Sequence, residues 1–169
     1  MNTPHVHFRA IEPEDLDLLY RIENDVKLWN VGTSNVPYSR YTLHDYVANA
    51  SDDIYTDRQV RMMIENDDHQ TVGIVDLVNF DPGNRRAELG LIILSAYRRQ
   101  GYATATLVLV ADYAFRVLHL HQLFAFIDVR NEASVSLFRK MGYQESSHIT
   151  DWLYDGAEYH DALLMQRVF

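Results

Sequence analysis

The sequence predicts an α/β fold with a mixed, mostly antiparallel sheet of about seven strands and helices on both faces. Segments with an apolar residue at every second position alternate with segments in which apolar residues recur at helical spacing. The 169 residues, 47% of them hydrophobic, are enough for one domain with a sizeable core, spanning 1–169. Neither an internal repeat nor a low-complexity tract interrupts the pattern, so the predicted order is β-α-α-β-β-β-α-β-α-β-β.

The first part of the chain predicts one strand and two helices. Apolar and polar residues alternate in 5–10, which indicates a strand. A helix follows from residue 12, because Pro13 and the acids beside it suit a first helical turn and the later apolar residues form one stripe. The second helix covers 42–50, with Thr42 as the cap of a capping-box variant.

The rest of the chain predicts strands and helices separated by short turn signals such as Asp155-Gly156. The clearest helical repeat begins at Tyr102, and the helix after it is ended by Gly142. The predicted strands cover 59–65, 71–78, 86–94, 122–129, 143–154 and 158–168, and the predicted helices cover 102–118 and 132–141.

The composition excludes several classes of function. A net charge of −9 repels nucleic acid and anionic membrane surfaces and favours cationic ligands. The sequence contains no cysteine, which excludes disulfides, thiolate metal sites and a cysteine nucleophile. No apolar run is long enough to span a membrane, and the first residues lack signal-peptide features. We therefore expect a cytoplasmic protein with no nucleic-acid or membrane partner.

The eight histidines raise the question of a metal site. His5 and His7, like His119 and His121, are two residues apart, a spacing that points both side chains to one face only in a strand. No carboxylate motif accompanies either pair in the sequence. The pattern therefore favours ordinary paired or solvated histidines and no bound metal.

The segment Arg98-Arg99-Gln100-Gly101-Tyr102-Ala103 has the properties of a pyrophosphate-binding loop. It lies between a predicted strand and the longest predicted helix, where free backbone N–H groups and the positive helix end attract anions. Gly101 and Ala103 let the backbone approach a ligand closely, and Arg98 and Arg99 add cationic donors. Taken alone, such a string is also typical of a basic turn before a helix.

This loop and a second segment together resemble a known family. After the strand that ends at Val129, the chain reads Asn131-Glu132-Ala133-Ser134-Val135-Ser136-Leu137-Phe138-Arg139-Lys140-Met141-Gly142-Tyr143. The pair resembles the GCN5-related N-acetyltransferase (GNAT) family, whose motifs are Q/R-x-x-G-x-G/A and, about 30 residues later, N-x-x-(A/S)-x-x-(L/Y)-(Y/F)-x-x-x-G-(F/Y). The resemblance covers the whole chain in element order and implies the GNAT fold. Within the family, the chain is similar first to the spermidine or diamine N-acetyltransferases and next to the ribosomal-protein N-terminal acetyltransferases.

The resemblance implies an enzyme that uses acetyl-coenzyme A as co-substrate and acetylates an amine by direct attack in a ternary complex. The end of the fourth strand would pair with the pantetheine arm, and a bulge favoured by Gly90 would open the slot for it. An N–H near Ile93 would stabilise the oxyanion. The residues that the resemblance assigns to cofactor binding are Ile92, Ile93, Leu94, Arg98, Arg99, Gln100, Gly101, Tyr102, Ala103, Thr104, Asn131, Ser134 and Phe138.

The catalytic base is expected to be Glu88. A primary amine has a pKa near 10.4 in water, so a base must remove a proton near neutral pH. Glu88 is an acid in an otherwise apolar strand and lies on the same face as Gly90 and Ile92. A strand-end carboxylate that faces solvent or pairs with Arg86 would give the same sequence pattern.

The usual acid for the leaving thiolate is missing. In relatives a tyrosine of the second motif commonly protonates the thiolate, whereas this chain has Phe138 at that position. Ser134 could position a water one helical turn earlier, and Tyr143 and Tyr154 are further candidates. Alternatively, no protein acid is needed. The same departure motivates a different class of function, a coenzyme-A-binding protein with little catalysis.

The acceptor is expected to be a polyamine, a diamine or another small amine, with a peptide or protein N-terminus as the alternative. Trp29 and Tyr38 are expected at the acceptor mouth, with Asp76 among the acids that could receive ammonium groups. The strands around Asp155-Gly156 could pair across a subunit interface, as in relatives, which would give a homo-oligomer. The available acids are Glu23, Asp25, Asp45, Asp52, Asp53 and Asp76.

Overall fold

The strands and helices follow one another in the predicted order, with one additional short helix before the second strand. A computed structural model describes residues 3–28 and 36–169. Its strands are β1 (His7–Arg9), β2 (Val60–Glu65), β3 (Thr71–Asp81), β4 (Arg86–Ile93), β5 (Gln122–Asp128), β6 (Gln144–Tyr154) and β7 (Tyr159–Val168). Its α-helices are α1 (Leu16–Glu23), α2 (Arg40–Asn49), α3 (Ile54–Asp57), α4 (Tyr102–Arg116) and α5 (Glu132–Lys140).

The described strands form one seven-stranded sheet in the order β1-β2-β3-β4-β5-β7-β6. Neighbours pair in the antiparallel sense except β4 and β5, which are parallel. Helix α4 provides the crossover that a parallel pair requires. The predicted mixed, mostly antiparallel sheet is confirmed.

The sheet has a hydrophobic cluster on each face. Met62 and Ile64 belong to the larger cluster, which also contains the buried stripe of α4, whereas Met63 between them belongs to a second cluster with residues of α1 and α2. Successive strand residues point to opposite faces of a sheet. Helices therefore cover both faces, as predicted. None of the helices in the described part of the chain is long and apolar enough to cross a membrane.

Two local predictions in the first half of the chain need correction. Helix α2 begins at Arg40, because the Ser39 hydroxyl accepts the N–H of Thr42 at 3.0 Å and so caps the helix three residues before the predicted cap. The four-residue helix α3 was not predicted, because it is too short to show periodicity. It is nucleated by Asp53, whose carboxylate accepts the N–H of Tyr55 at 3.0 Å.

Candidate active site

A slot opens in the middle of the sheet, where the two parallel strands separate. β4 and β5 pair only at Arg86↔Gln122, Ala87↔Leu123 and Glu88↔Phe124. Both strands continue, β4 to Ile93 and β5 to Asp128, with no further pairing between them among the described residues. The backbone edges beyond Glu88 therefore face each other across a gap, which is the separation that the family resemblance implied.

The irregularity next to this slot is not at Gly90. The register between β3 and β4 is continuous through Gly90, which faces Asp76, and shifts only between Val78 and Asp81. Within that shift Asn79 has a left-handed φ of 50°. The prediction that Gly90 introduces a bulge was wrong, because the strands part on the β5 side without disturbing the pairing with β3.

The backbone of Ile93 faces the slot. The N–H of Leu94 donates to the carbonyl of Val72 at 2.9 Å, so the polar groups of Leu94 are directed to β3. Since the direction alternates along a strand, those of Ile92 also face β3 and those of Ile93 face away from it. The Arg98 side chain confirms this direction, because its Nε donates to the carbonyl of Ile93 at 3.0 Å. Of the three predicted strand residues, only Ile93 offers a backbone N–H to the slot.

The predicted phosphate loop has the backbone that an anion needs. Gly101 is the N-cap of α4 with a left-handed φ of 90°, and no side chain of the described residues caps this helix. The first helical hydrogen bond runs from the N–H of Ala105 to the carbonyl of Gly101, 3.0 Å. The N–H groups of Tyr102, Ala103 and Thr104 therefore have no acceptor within the helix and lie at its positive end. A pyrophosphate group fits this arrangement.

The polar side chains of the loop divide into two roles. Arg98 is held against the end of β4 by its bond to Ile93, and the Gln100 amide donates to the carbonyl of Ala96 at 2.9 Å. Both side chains therefore brace the turn. Arg99 is exposed and has a left-handed φ of 60°. Its guanidinium is the more accessible cationic donor for a phosphate.

The second motif forms the start of α5. Asn131 is its N-cap, and the Asn131 Oδ1 accepts the N–H of Ser134 at 3.2 Å. The two residues thus fix each other at the end of β5, on the far side of the slot. Phe138, by contrast, is only 6% exposed, with its ring centroid 4.8 Å from that of Tyr143. The structure therefore places Phe138 in the core.

The two further tyrosine candidates for a general acid differ in their surroundings. Tyr143 is 2% exposed, and its hydroxyl has no hydrogen-bond partner among the described residues. Burial raises the pKa of Tyr143, so this hydroxyl holds its proton. Tyr154 lies on the exposed hairpin of β6 and β7, where its ring contacts Tyr159. Neither position supports the role of proton donor to the slot.

Glu88 lies where the slot opens, at the last position where β4 pairs with β5. Its Oε2 accepts a hydrogen bond from the Asn79 Nδ2 at 2.7 Å. The alternative ion pair with Arg86 is not present, because Arg86 pairs with Asp81 at 3.2 Å. The irregular turn of β3 at Asn79 thus orients the Glu88 carboxylate.

Asp76, the predicted receiver of an ammonium group, is already paired. The Arg61 guanidinium donates to both of its oxygens, from Nε at 2.7 Å and from Nη2 at 3.0 Å. The same guanidinium contacts Glu23 at the end of α1. Although burial lowers the pKa of Arg61, these two carboxylates raise it above its ordinary value. Asp76 therefore contributes to an ion-pair cluster beside Gly90 instead of standing as an open carboxylate.

Tyr38 is held at the rim of the same sheet face. Asn24 brackets its backbone, donating to the Tyr38 carbonyl at 3.0 Å and accepting the Tyr38 N–H at 2.9 Å. The half-buried ring packs in the cluster that includes Ile92 and Leu94. Tyr38 therefore lies beside the end of β4, and its role at an acceptor mouth stays a prediction. Trp29, the other predicted residue of the mouth, lies outside the described residues.

The sequence interpretation missed three residues that shape the site. Arg61 binds Asp76, Asn79 orients Glu88, and Pro4 closes the space behind Gly101, where an added Cβ would come within 2.8 Å of the Pro4 ring. A lone arginine in the apolar run of β2 was a usable signal for the first. The other two depend on contacts between distant parts of the chain, which the sequence does not display.

Comparison with known proteins decides the family. A sequence profile of the acetyltransferase (GNAT) domain matches residues 5–144. The chain belongs to the GNAT acetyltransferase family. It is accordingly an N-acetyltransferase with acetyl-coenzyme A as co-substrate. The free amides at the start of α4 and the slot beyond Glu88 fit this co-substrate.

Several relatives cover nearly the whole chain. The spermidine N(1)-acetyltransferase of Escherichia coli K12 is 28% identical over 95% of this chain and 84% of its own length. A Bacillus subtilis protein, YdaF, whose name places it among ribosomal N-acetyltransferases, is 29% identical over 93% of this chain and 87% of its own length. The crystal structure of Vibrio cholerae spermidine N-acetyltransferase in complex with CoA and spermine superposes with a TM-score of 0.87 at 23% identity, over 97% of this chain and 95% of that one.

Replacement of Gly101 tests the phosphate loop. In Gly101→Ala, the new Cβ would sit in a left-handed backbone and meet the Pro4 ring, so the first turn of α4 must shift. We expect the KM for acetyl-coenzyme A to rise about tenfold, the equivalent of about 1.4 kcal/mol of lost binding. Gly156→Ala is the control, because Gly156 has a φ of 99° with nothing within 4 Å of an added Cβ. Gly156→Ala also places a side chain on a left-handed backbone, but it should leave the KM for acetyl-coenzyme A unchanged. An equal rise of this KM in both variants would contradict a specific role for the loop.

Proposed function

We propose that this enzyme acetylates a primary amine of a polyamine or diamine by direct attack in a ternary complex. The observation that carries the reaction is the placement of Glu88 at the opening of the slot, with the backbone N–H of Ile93 directed into the same slot. The cationic acceptor is supported by relatives that are spermidine N-acetyltransferases and by a net charge of −9.

Each step falls to residues of this chain. Acetyl-coenzyme A supplies the acetyl group as a thioester. The amides of Tyr102 to Thr104 and the Arg99 guanidinium bind the pyrophosphate. Glu88 accepts the proton of the acceptor nitrogen, directly or through one water, as that nitrogen attacks. The N–H of Ile93 donates to the carbonyl oxygen where negative charge develops. The C–S bond of the thioester then breaks, and coenzyme A leaves as the thiolate, which takes up a proton from water.

The acceptor side of the slot is acidic. Glu23, Asp76 and Glu88 lie on or next to the sheet face that α1 and α2 cover, and Arg61 is the cation that the structure shows among them. These carboxylates and the acidic balance of the whole chain favour a cationic acceptor. The polyamine proposal is supported chiefly by the spermidine N-acetyltransferase relatives, and a peptide N-terminus stays the alternative.

An acceptor panel tests the proposal. The protein is supplied with acetyl-coenzyme A and, in turn, spermidine, spermine, putrescine, a peptide with N-terminal alanine and simple amino acids, while thiol release is recorded. We expect the highest kcat/KM with a polyamine. A preference for the peptide would favour the alternative supported by the similarity to YdaF. Tight binding of coenzyme A with no release for any amine would indicate a binding protein and overturn the enzymatic proposal.

Phe138→Tyr tests whether the missing acid limits turnover. A hydroxyl at this position restores the group that relatives carry, so we expect kcat to rise on the order of tenfold. The gain is smaller than a full general-acid effect because the thiolate of coenzyme A is a tolerable leaving group near neutral pH without a protein acid. Tyr143→Phe is the matched change, since it removes a buried hydroxyl without a described partner. It should leave kcat unchanged and raise the free energy of unfolding by up to about 1 kcal/mol. An unchanged kcat in Phe138→Tyr would contradict a role for an acid at this position.

We also infer that residues 1–169 work as one acetyltransferase domain in the cytoplasm and assemble as a homo-oligomer. The similarity to the Vibrio cholerae enzyme spans 97% of the chain, and one structure of that enzyme is dodecameric. β6 is the last strand of the sheet and is exposed along most of its length, with Trp152 and Tyr154 at the surface. Such an edge can pair with another copy. A monomeric mass by light scattering would contradict the assembly.

A further inference from the structure

Three metal-ligating side chains meet at the opposite edge of the sheet, away from the slot between β4 and β5. His7 of β1 and Glu65 of β2 are directly paired in the strand register, and His69 lies in the hairpin that joins β2 to β3. One potential ligand atom from each residue lies within 4.8 Å of the other two. The geometry points to a site for a divalent transition-metal ion of the zinc class, formed by His7, Glu65 and His69.

The distances between the ligand atoms are close to those around a bound ion. The His7 Nε2 lies 3.0 Å from the Glu65 Oε2, and the His69 Nδ1 lies 4.0 Å from the same oxygen. Around a tetrahedral zinc ion, with bonds of about 2.0 to 2.2 Å, neighbouring ligand atoms are about 3.3 Å apart. His69 has 84% of its side chain exposed and can approach by a small rotation. Binding therefore needs no change in the sheet.

The carboxylate is held in position from behind. Arg9 donates from Nε to the Glu65 Oε1 at 2.5 Å, which directs the other oxygen, Oε2, to the two histidines. The Arg9 guanidinium is itself bound by both oxygens of Asp15, at 2.7 and 2.8 Å. Outer partners of this kind orient the ligands of metal sites. The Glu65 side chain is 12% exposed, so its orientation is fixed by the fold.

The local charge also suits a cation. Glu65 and Asp15 outnumber Arg9 by two charges to one, so the fixed groups carry −1 before the hairpin acids Asp67 and Asp68 are added. Two imidazoles with one carboxylate match zinc, nickel, copper or iron better than magnesium, which prefers oxygen ligands. Histidine spacing alone does not indicate this set, because its carboxylate comes from a neighbouring strand and its second imidazole from a hairpin.

A metal ion bound here would restrain the residues that contact the phosphate loop. The hairpin contacts the start of α4 through Asn66, whose Nδ2 lies 3.4 Å from the Tyr102 hydroxyl. Pro4, three residues before His7, lies behind Gly101. The ion would join β1 to the hairpin at the point where both meet this loop. Its binding is therefore expected to stabilise the fold and to slow amide hydrogen exchange in residues 66–70.

Titration of the tag-free, chelator-treated full chain with ZnCl2 tests the site. We expect one equivalent to bind, the midpoint of thermal unfolding to rise by about 5 °C at 100 times the Kd, and Co2+ to give visible absorption from nitrogen and oxygen ligands. MgCl2 should produce no comparable shift. Absence of a zinc-dependent shift, or an equal shift with magnesium, would overturn the proposal.

Variants separate this trio from general histidine binding. His69→Ala changes an exposed side chain and should weaken zinc binding at least tenfold without loss of folding. Glu65→Gln should do the same, although it also disturbs Arg9. His5→Ala is the control, because His5 pairs with Asp67 at 2.7 Å outside the trio. Equal zinc affinity in His69→Ala and the unmodified protein, or an equal loss in His5→Ala, would contradict the assignment.

Discussion

Glu88→Gln is expected to lower kcat about 100-fold, the lower end of what a positioned general base contributes. The amide keeps the size of the side chain and can still bond with Asn79, but it cannot accept the amine proton. The KM for acetyl-coenzyme A should stay within about twofold, because Glu88 lies on β4 and not among the amides at the start of α4 that are proposed to bind the pyrophosphate. Steady-state kinetics with the best acceptor of the panel measures both constants.

The pH dependence of this loss separates a base from a merely structural acid. As pH rises towards the amine pKa near 10.4, more acceptor is already deprotonated, so the deficit of Glu88→Gln should shrink. A packing or positioning role would give a deficit that does not change with pH. Glu158→Gln, at an exposed position of the β6–β7 hairpin, is the control and should behave as the unmodified protein. A pH-independent deficit would remove Glu88 from the base assignment.

The sequence predicted the parts of the site that are local in the chain. The loop at Gly101 and the cap at Asn131 can be predicted from neighbouring residues, because a helix start needs particular residue types at fixed offsets. The separation of β4 from β5 also followed, but from the family resemblance and not from periodicity. The order of the elements along the chain and the buried helix faces were equally accessible, since alternating and helical repeats each define one buried side.

What the sequence did not display depends on register between distant strands. The pairing of Arg61 with Asp76 joins residues 15 positions apart, and that of His7 with Glu65 joins residues 58 apart. A shift of one residue in either strand would send these side chains to opposite faces. Asp76 was thus predicted as an open carboxylate, because its partner Arg61 lies on a neighbouring strand and cannot be read locally, and the burial of Phe138 against Tyr143 was equally hidden.

Arg61→Met is expected to lower the free energy of unfolding by about 3 kcal/mol. The Arg61 side chain is 20% exposed and the Asp76 side chain 19%, so both charges are largely removed from water. Methionine fills the space of the aliphatic part of the Arg61 side chain. It leaves Asp76 without its two hydrogen bonds to the guanidinium and removes the ion pair of that guanidinium with Glu23. An ionised carboxylate that loses its partner in a half-buried site keeps its desolvation cost. Chemical denaturation of both proteins measures the difference.

Two further variants show whether the loss belongs to the cluster. Arg139→Met breaks an ion pair with Glu145 in which the side chains are 56% and 39% exposed, so it should cost below about 1 kcal/mol. Adding Asp76→Asn to Arg61→Met removes one of the carboxylates that the first change left uncompensated, and should recover part of the stability. If the double variant is no more stable than Arg61→Met, the loss does not come from an uncompensated Asp76 carboxylate, and the ion-pair explanation is contradicted.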